Sequence, residues 1–137
     1  MKKICLLLTA AALLSSAAVA QSMSAGRAEL MSSVPTSAKT VSDWYKQDIY
    51  DPSDSKIGKI DDVLVSGGGQ INAVIVGVGG FLGAGEKDVA VPFSAVKQTT
   101  KNNKTYLTMD TTKDALKSAP GFKYDSEKTA WVSDKSK

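Results

Sequence analysis

Beyond residue 40, apolar side chains recur at every second position in short runs broken by turn residues, the signature of half-buried β-strands. Residues 44–50 gather Trp44, Tyr45, Ile49 and Tyr50 and predict a first strand. Asp51, Pro52, Ser53, Asp54 and Ser55 form a turn cluster, because proline presets φ and the short polar side chains bond nearby backbone. Residues 57–65 predict a second strand with imperfect alternation. Asp61 and Asp62 must point apart, and Gly58 marks a bulge. A Ser66–Gln70 loop with three glycines leads into residues 71–78, where Val74, Val76 and Val78 share one face and Ile71, Ala73 and Ile75 the other. Apolar residues on both faces predict a central strand covered twice, as in a closed barrel or a sandwich. After a glycine-rich loop at 79–85, residues 88–93 alternate cleanly, with Val89, Val91 and Phe93 inward and Pro92 at a strand end or edge. Val74, Val76, Val89, Val91 and Phe93 are therefore expected to share one core. Lys101, Asn102, Asn103 and Lys104 form a polar hairpin tip before a returning strand at 105–109. Thr111 to Asp114 has the form of a capping box with Asp in the Glu position, opening a short helix at 113–119 that Pro120-Gly121 stops. An aromatic-bearing tail at 122–131 is expected to pack back on the strands.

The first 40 residues follow a different pattern. Lys2 and Lys3 precede an apolar run of 11 residues, 4–14, too short to span a bilayer, which takes about 20. Ala18-Val19-Ala20 supplies a small-residue cleavage site, so residues 1–20 predict a signal peptide and Gln21 a mature N-terminus. This predicts a periplasmic location, with no transmembrane segment left after cleavage. Residues 21–40, rich in serine and poor in large apolar groups, predict a flexible linker; a short helix at 27–31 is weakly supported.

Charge and composition narrow the chemistry. The 137 residues carry a formal net charge of +3, but loss of Lys2 and Lys3 leaves 15 basic against 14 acidic side chains, a balance without the electrostatic footprint of a nucleic-acid binder. The chain has no histidine, and its one cysteine, Cys5, lies in the leader. Disulfides, Cys- or His-based zinc sites, thiol nucleophiles and histidine bases are thereby excluded. The glycine run from Gly77 fails the G-x-G-x-x-G spacing, because Leu82 stands where the last glycine belongs, and a strand rather than a helix follows it. Asp51 to Asp54 lacks the EF-hand ligand spacing. Asn103-Lys104-Thr105 matches a glycosylation sequon but reads as a turn. No catalytic serine motif occurs. The expectation is a chain with no catalytic residues, no cofactor and no metal.

Four ordered segments carry a family resemblance: Asp43-Trp44-Tyr45-Lys46-Gln47-Asp48, Lys56-Ile57-Gly58-Lys59-Ile60-Asp61-Asp62-Val63, Val76 through Gly83, and Glu86-Lys87-Asp88-Val89-Ala90-Val91-Pro92-Phe93. Together they resemble a PRC-barrel domain over residues 41–110, and in particular the small secreted PRC-barrel proteins of alphaproteobacteria, to whose ends the tail at 111–131 is also similar. The resemblance implies an all-β fold, a small, strongly bent PRC-type β-barrel, here with a short C-terminal helix and a tail over 111–137. It also implies a non-catalytic docking role, since family barrels serve as docking modules beside a reaction centre and on the ribosome. Neither of those settings transfers to a chain with this leader. The leading expectation is a periplasmic module that docks or scaffolds a protein partner. The alternative is a small-ligand or envelope-surface binder, and a hydrolase built on Asp, Lys or Ser stands third. Adjacent strand residues point to opposite faces, so one of Trp44 and Tyr45 would plug the barrel and the other face outward. Phe81 and Leu82 sit in the glycine loop beside them. These four are the candidate partner contacts, with burial of all four in the core as the competing possibility.

Overall fold

The computed structural model describes residue 28, residues 30–79 and residues 85–136. The predicted signal peptide, Gln21, Phe81 and Leu82 lie outside the described residues. Two compact units divide at Pro35 and Thr36. In the first, the described residues form neither helix nor strand, and Leu30, Met31 and Val34 are exposed.

In the second unit, eight strands form one sheet. They are β1 (Asp48–Tyr50), β2 (Lys56–Val65), β3 (Ile71–Val78), β4 (Lys87–Pro92), β5 (Val96–Lys101), β6 (Lys104–Met109), β7 (Phe122–Asp125) and β8 (Ala130–Ser133), with one helix, α1 (Lys113–Ser118), between β6 and β7. Their order is β5-β6-β1-β2-β3-β4-β7-β8. Neighbours pair antiparallel except β1 and β6, which run parallel. The sheet does not close, but it bends strongly. Side chains from β1 through β6, together with Trp44 and Leu116, join a single buried cluster. A flat sheet cannot bring the inner faces of six strands to one core, so curvature is required. This is the predicted all-β, bent-barrel architecture with a short C-terminal helix.

Bulges supply part of the curvature. The register between β1 and β2 shifts between Ile49 and Tyr50, leaving Ile57 unpaired beside Gly58. A second shift between Ile60 and Asp62 leaves Asp61 as the extra residue against β3. These two insertions account for the broken alternation of residues 57–65. Gly58 faces the core, where an added Cβ would lie 2.6 Å from Val76 Cγ1 and 3.0 Å from the Gly77 carbonyl oxygen.

Strand β3 is covered on both faces, as its sequence predicts. Val74, Val76 and Val78 belong to the main core. Ile75 is fully buried yet lies outside that cluster, on the opposite face. It pairs with Asp62 across the ladder, and the indole Nε1 of Trp131 on β8 donates to Asp62 Oδ2 at 2.7 Å. The β7–β8 hairpin thus folds back toward the outer face of β3, giving the tail at 122–131 its packed position.

Three local expectations are corrected. Residues 44–50 are not one strand: a 3-10 turn, Val41–Asp43, capped by the Thr40 hydroxyl, precedes a strand of only three residues. Lys46 then takes φ 63°, and its amide donates to the Ile60 carbonyl at 2.8 Å, so the chain is pinned before β1 begins. Phe93 is not a strand residue, because Pro92 ends β4 and Phe93 opens a 3-10 turn, half-buried against the core. The helix N-cap is Thr112, whose Oγ1 accepts from the Ala115 amide at 3.1 Å, one residue later than the capping-box frame placed it.

Candidate functional site

The candidate contact pair divides as expected, but through a turn rather than a strand. Trp44 is buried, stacks on Phe93 with ring centroids 4.4 Å apart, and donates its indole N–H to Gln98 Oε1 at 2.6 Å. Burying an indole favours such a partner for its N–H, and Gln98 on β5 supplies it. Tyr45 is 49% exposed. The 3-10 turn and the left-handed Lys46 hold its backbone, with the Tyr45 amide donating to the Val41 carbonyl at 2.9 Å. Lys46 Nζ lies 5.1 Å from the Tyr45 ring centroid, within cation–π range.

Lys46 also connects Tyr45 to a polar group that sequence spacing did not suggest. Its ammonium donates to Asp61 Oδ1 at 2.8 Å. That hydrogen bond, followed by the Coulomb attraction of Asp61, raises the Lys46 pKa above the usual lysine value. The carboxylates of Asp61 and Glu86 both crowd the position a Cβ would take at Gly77. Only glycine at that position lets the two acids approach the strand. The sequence reading compared Asp61 with Asp62 and correctly separated them, since Asp62 accepts from the Val63 amide and from Trp131. It missed Glu86, which lies 25 residues away and reaches Asp61 only through β3–β4 pairing.

A second group lies farther along the outer face. Tyr50 on β1 and Tyr106 on β6 stack with centroids 4.6 Å apart and planes 14° from parallel. Lys101 Nζ lies 4.8 Å from the Tyr106 centroid. The Tyr106 hydroxyl donates to Asp54 Oδ1 at 2.7 Å, and Lys101 reaches Asp54 Oδ2 at 3.3 Å. The bond from Tyr106, and then that from Lys101, lowers the Asp54 pKa. The same Asp54 carboxylate pushes the Tyr106 pKa up to about 12. Sequence reasoning treated Tyr50, Asp54 and Tyr106 as strand and turn residues. Only the parallel pairing of β1 with β6 brings them together.

Two open clefts flank this region. One, of about 500 Å³, runs along β1 and β6 and is lined by Lys46, Asp48, Tyr50, Lys101, Lys104 and Tyr106 among others. The other, of about 470 Å³, lies over β2 and β3 and is lined by Lys56, Lys59, Gly77, Glu86 and Lys113 among others. Among the described residues, no group of three or more His, Cys, Asp or Glu side chains is placed to hold a metal ion. No described helix is long and apolar enough to cross a membrane.

No curated protein matches the chain. A model of the PRC-barrel domain matches residues 38–116, from just before the Thr40 cap to Leu116, the buried residue of α1. That span is more than half of the 137 residues and contains the whole bent core from Trp44 to Leu116. On this match and this fold, the chain belongs to the PRC-barrel family.

Proposed function

We propose that the chain is an exported, non-enzymatic PRC-barrel module that works in the periplasm by docking a protein partner through the surface around Tyr45. The observation that carries the reading is the division of labour between Trp44 and Tyr45. The buried indole fixes the turn to the core, and the half-exposed phenol stands on that fixed turn. Tyrosine is enriched at interface hot spots because it offers large rigid contact area at low entropic cost. Phe81 and Leu82, the other two candidate contacts, stay in the proposal on their sequence alone. Export rests on the charged start, the short apolar run and the Ala18-Val19-Ala20 site. The non-enzymatic reading rests on the lack of histidine and of any cysteine beyond the leader.

The test joins localisation to contact. The mature N-terminus is expected at Gln21 in the periplasmic fraction. A photo-reactive residue at position 45 is expected to crosslink a defined protein there, whereas one at exposed Tyr124, on β7, is not. An intact Met1 on a cytoplasmic protein would refute export. Identical crosslinking patterns from positions 45 and 124 would refute the surface.

A further inference from the structure

The clefts on either side of β1 and β2 share one chemistry. Lys46, Lys101 and Lys104 line one, and Lys56, Lys59 and Lys113 the other. The clefts meet where Lys56 Nζ contacts Asp48 Oδ1 at 2.8 Å and where Asp48 pairs with Lys59 in the ladder. Their acidic lining is Asp48 and Glu86. Even with Asp61 and Asp54, which Lys46 and Lys101 hold, six cations stand against four anions. The whole chain has only three excess cations, and Lys2 and Lys3 are two of them. Along the clefts themselves, six lysines stand against two acids, so their lining is positive.

Two details indicate that the charge is aimed outward. Lys101 and Lys104 are direct cross-strand partners on β5 and β6, a like-charge pairing that costs stability. Among the described residues, Lys104 takes part in no ion pair. The Tyr106 ring stacks on Tyr50 and has the Lys101 ammonium 4.8 Å from its centroid, so part of its surface is already taken by the protein's own groups.

We infer that this lysine-lined outer face binds the surface of an anionic lipid bilayer. Every cation on it is lysine, and the one arginine of the chain, Arg27, precedes the span of the family match in sequence. Lysines are mobile point charges, suited to a dense layer of headgroup charge, whereas stereospecific recognition of single carboxylates or phosphates favours the arginine fork. Lysine is depleted in protein–protein interfaces, which argues against an acidic protein as the occupant. Tyrosine at the rim of a basic face suits the headgroup layer, where its ring and hydroxyl meet apolar and wet surroundings. This surface adjoins Tyr45 through Lys46, but substitutions at Lys101 and Lys104 alone leave Tyr45 and Lys46 in place, so either reading can fail without the other.

The test uses the protein as the cell processes it, sedimented with vesicles of phosphatidylglycerol mixed with phosphatidylcholine or of phosphatidylcholine alone. Binding is expected only to the anionic vesicles and should fall as salt rises. The exposed pair Lys101→Gln and Lys104→Gln together should weaken it by about tenfold or more, since each lysine near such a surface contributes substantially to partitioning. Lys101→Arg and Lys104→Arg should retain it, and thermal melts check that both variants fold. Equal binding to both vesicle types, or wild-type binding by the folded glutamine variant, overturns the proposal. So does binding of a polyglutamate or a nucleic-acid duplex without binding of anionic vesicles.

Discussion

The Tyr106–Asp54 contact shows how a single hydrogen bond sets the acid–base behaviour of a surface. Asp54 holds the phenol proton, so the Tyr106 pKa rises to about 12 while that of Asp54 falls. The signs of the two linkages are opposite. A raised tyrosine pKa gives stability that is complete below its unfolded value, about 10, and is lost as pH climbs through about 12. A lowered aspartate pKa gives stability that is complete above the ordinary carboxylate range and is lost as pH falls through the depressed value. The contact therefore stabilises the fold across the neutral range and weakens it only at the alkaline and acidic ends. Phenolate absorbance should show a late ionisation at about pH 12, and Tyr106→Phe should remove that late phase. Asp54→Asn should return it toward about 10. A late phase that survives Asp54→Asn would mean that the carboxylate is not its cause.

Elements differ in how much of their geometry the sequence carries. The β5–β6 hairpin was legible because its turn depends on two adjacent residues. Asn102 and Asn103 adopt φ 52° and 60°, the left-handed pair of a two-residue turn matched to strand twist, and asparagine tolerates that region. Asn103→Val should cost about 1–2 kcal/mol in denaturant melts, the penalty for a side chain forced left-handed, while Asn103→Gly should be close to neutral. A neutral valine variant would show that the turn relaxes. Strand β3 was legible for a similar reason, because its double-faced apolar run states its own burial. The region from Trp44 to Tyr50 was not. Its composition suits a strand, but the capped 3-10 segment Val41–Asp43 and the tertiary bond from Lys46 to Ile60 hold residues 44–46 in a turn. The same limit hid the site. Asp61 meets Glu86, and Tyr50 meets Tyr106, only through strand pairings that local spacing does not encode. Trp44 and Tyr45 divided as expected, but not by the strand alternation from which the split was argued: the turn after Val41–Asp43 and the left-handed Lys46 separate them instead.

At the scale of the whole molecule, the family match ends in α1, yet the sheet continues. The β7–β8 hairpin joins β4 through the pairing of Asp88 with Phe122, and it returns to β2 through Trp131 and Asp62. The Asp134 amide adds a bond to the Gly121 carbonyl at 2.8 Å, closing the hairpin on itself. The ladders that join β2, β3 and β4 are far longer, with six pairings each. Local opening follows the weakest attachment, because opening free energies range from near zero at loosely held segments to the full unfolding value in the core. The hairpin should therefore open independently while the barrel stays folded. Hydrogen exchange should give the amides of β7 and β8 clearly lower protection than those of β3. Trp131→Phe removes the indole donor and leaves Asp62 Oδ2 without that partner, so it should lower hairpin protection further and leave the β3 amides little changed. Equal protection of β3 and the hairpin, falling together in the variant, would mean that the hairpin is an inseparable part of the barrel's cooperative unit.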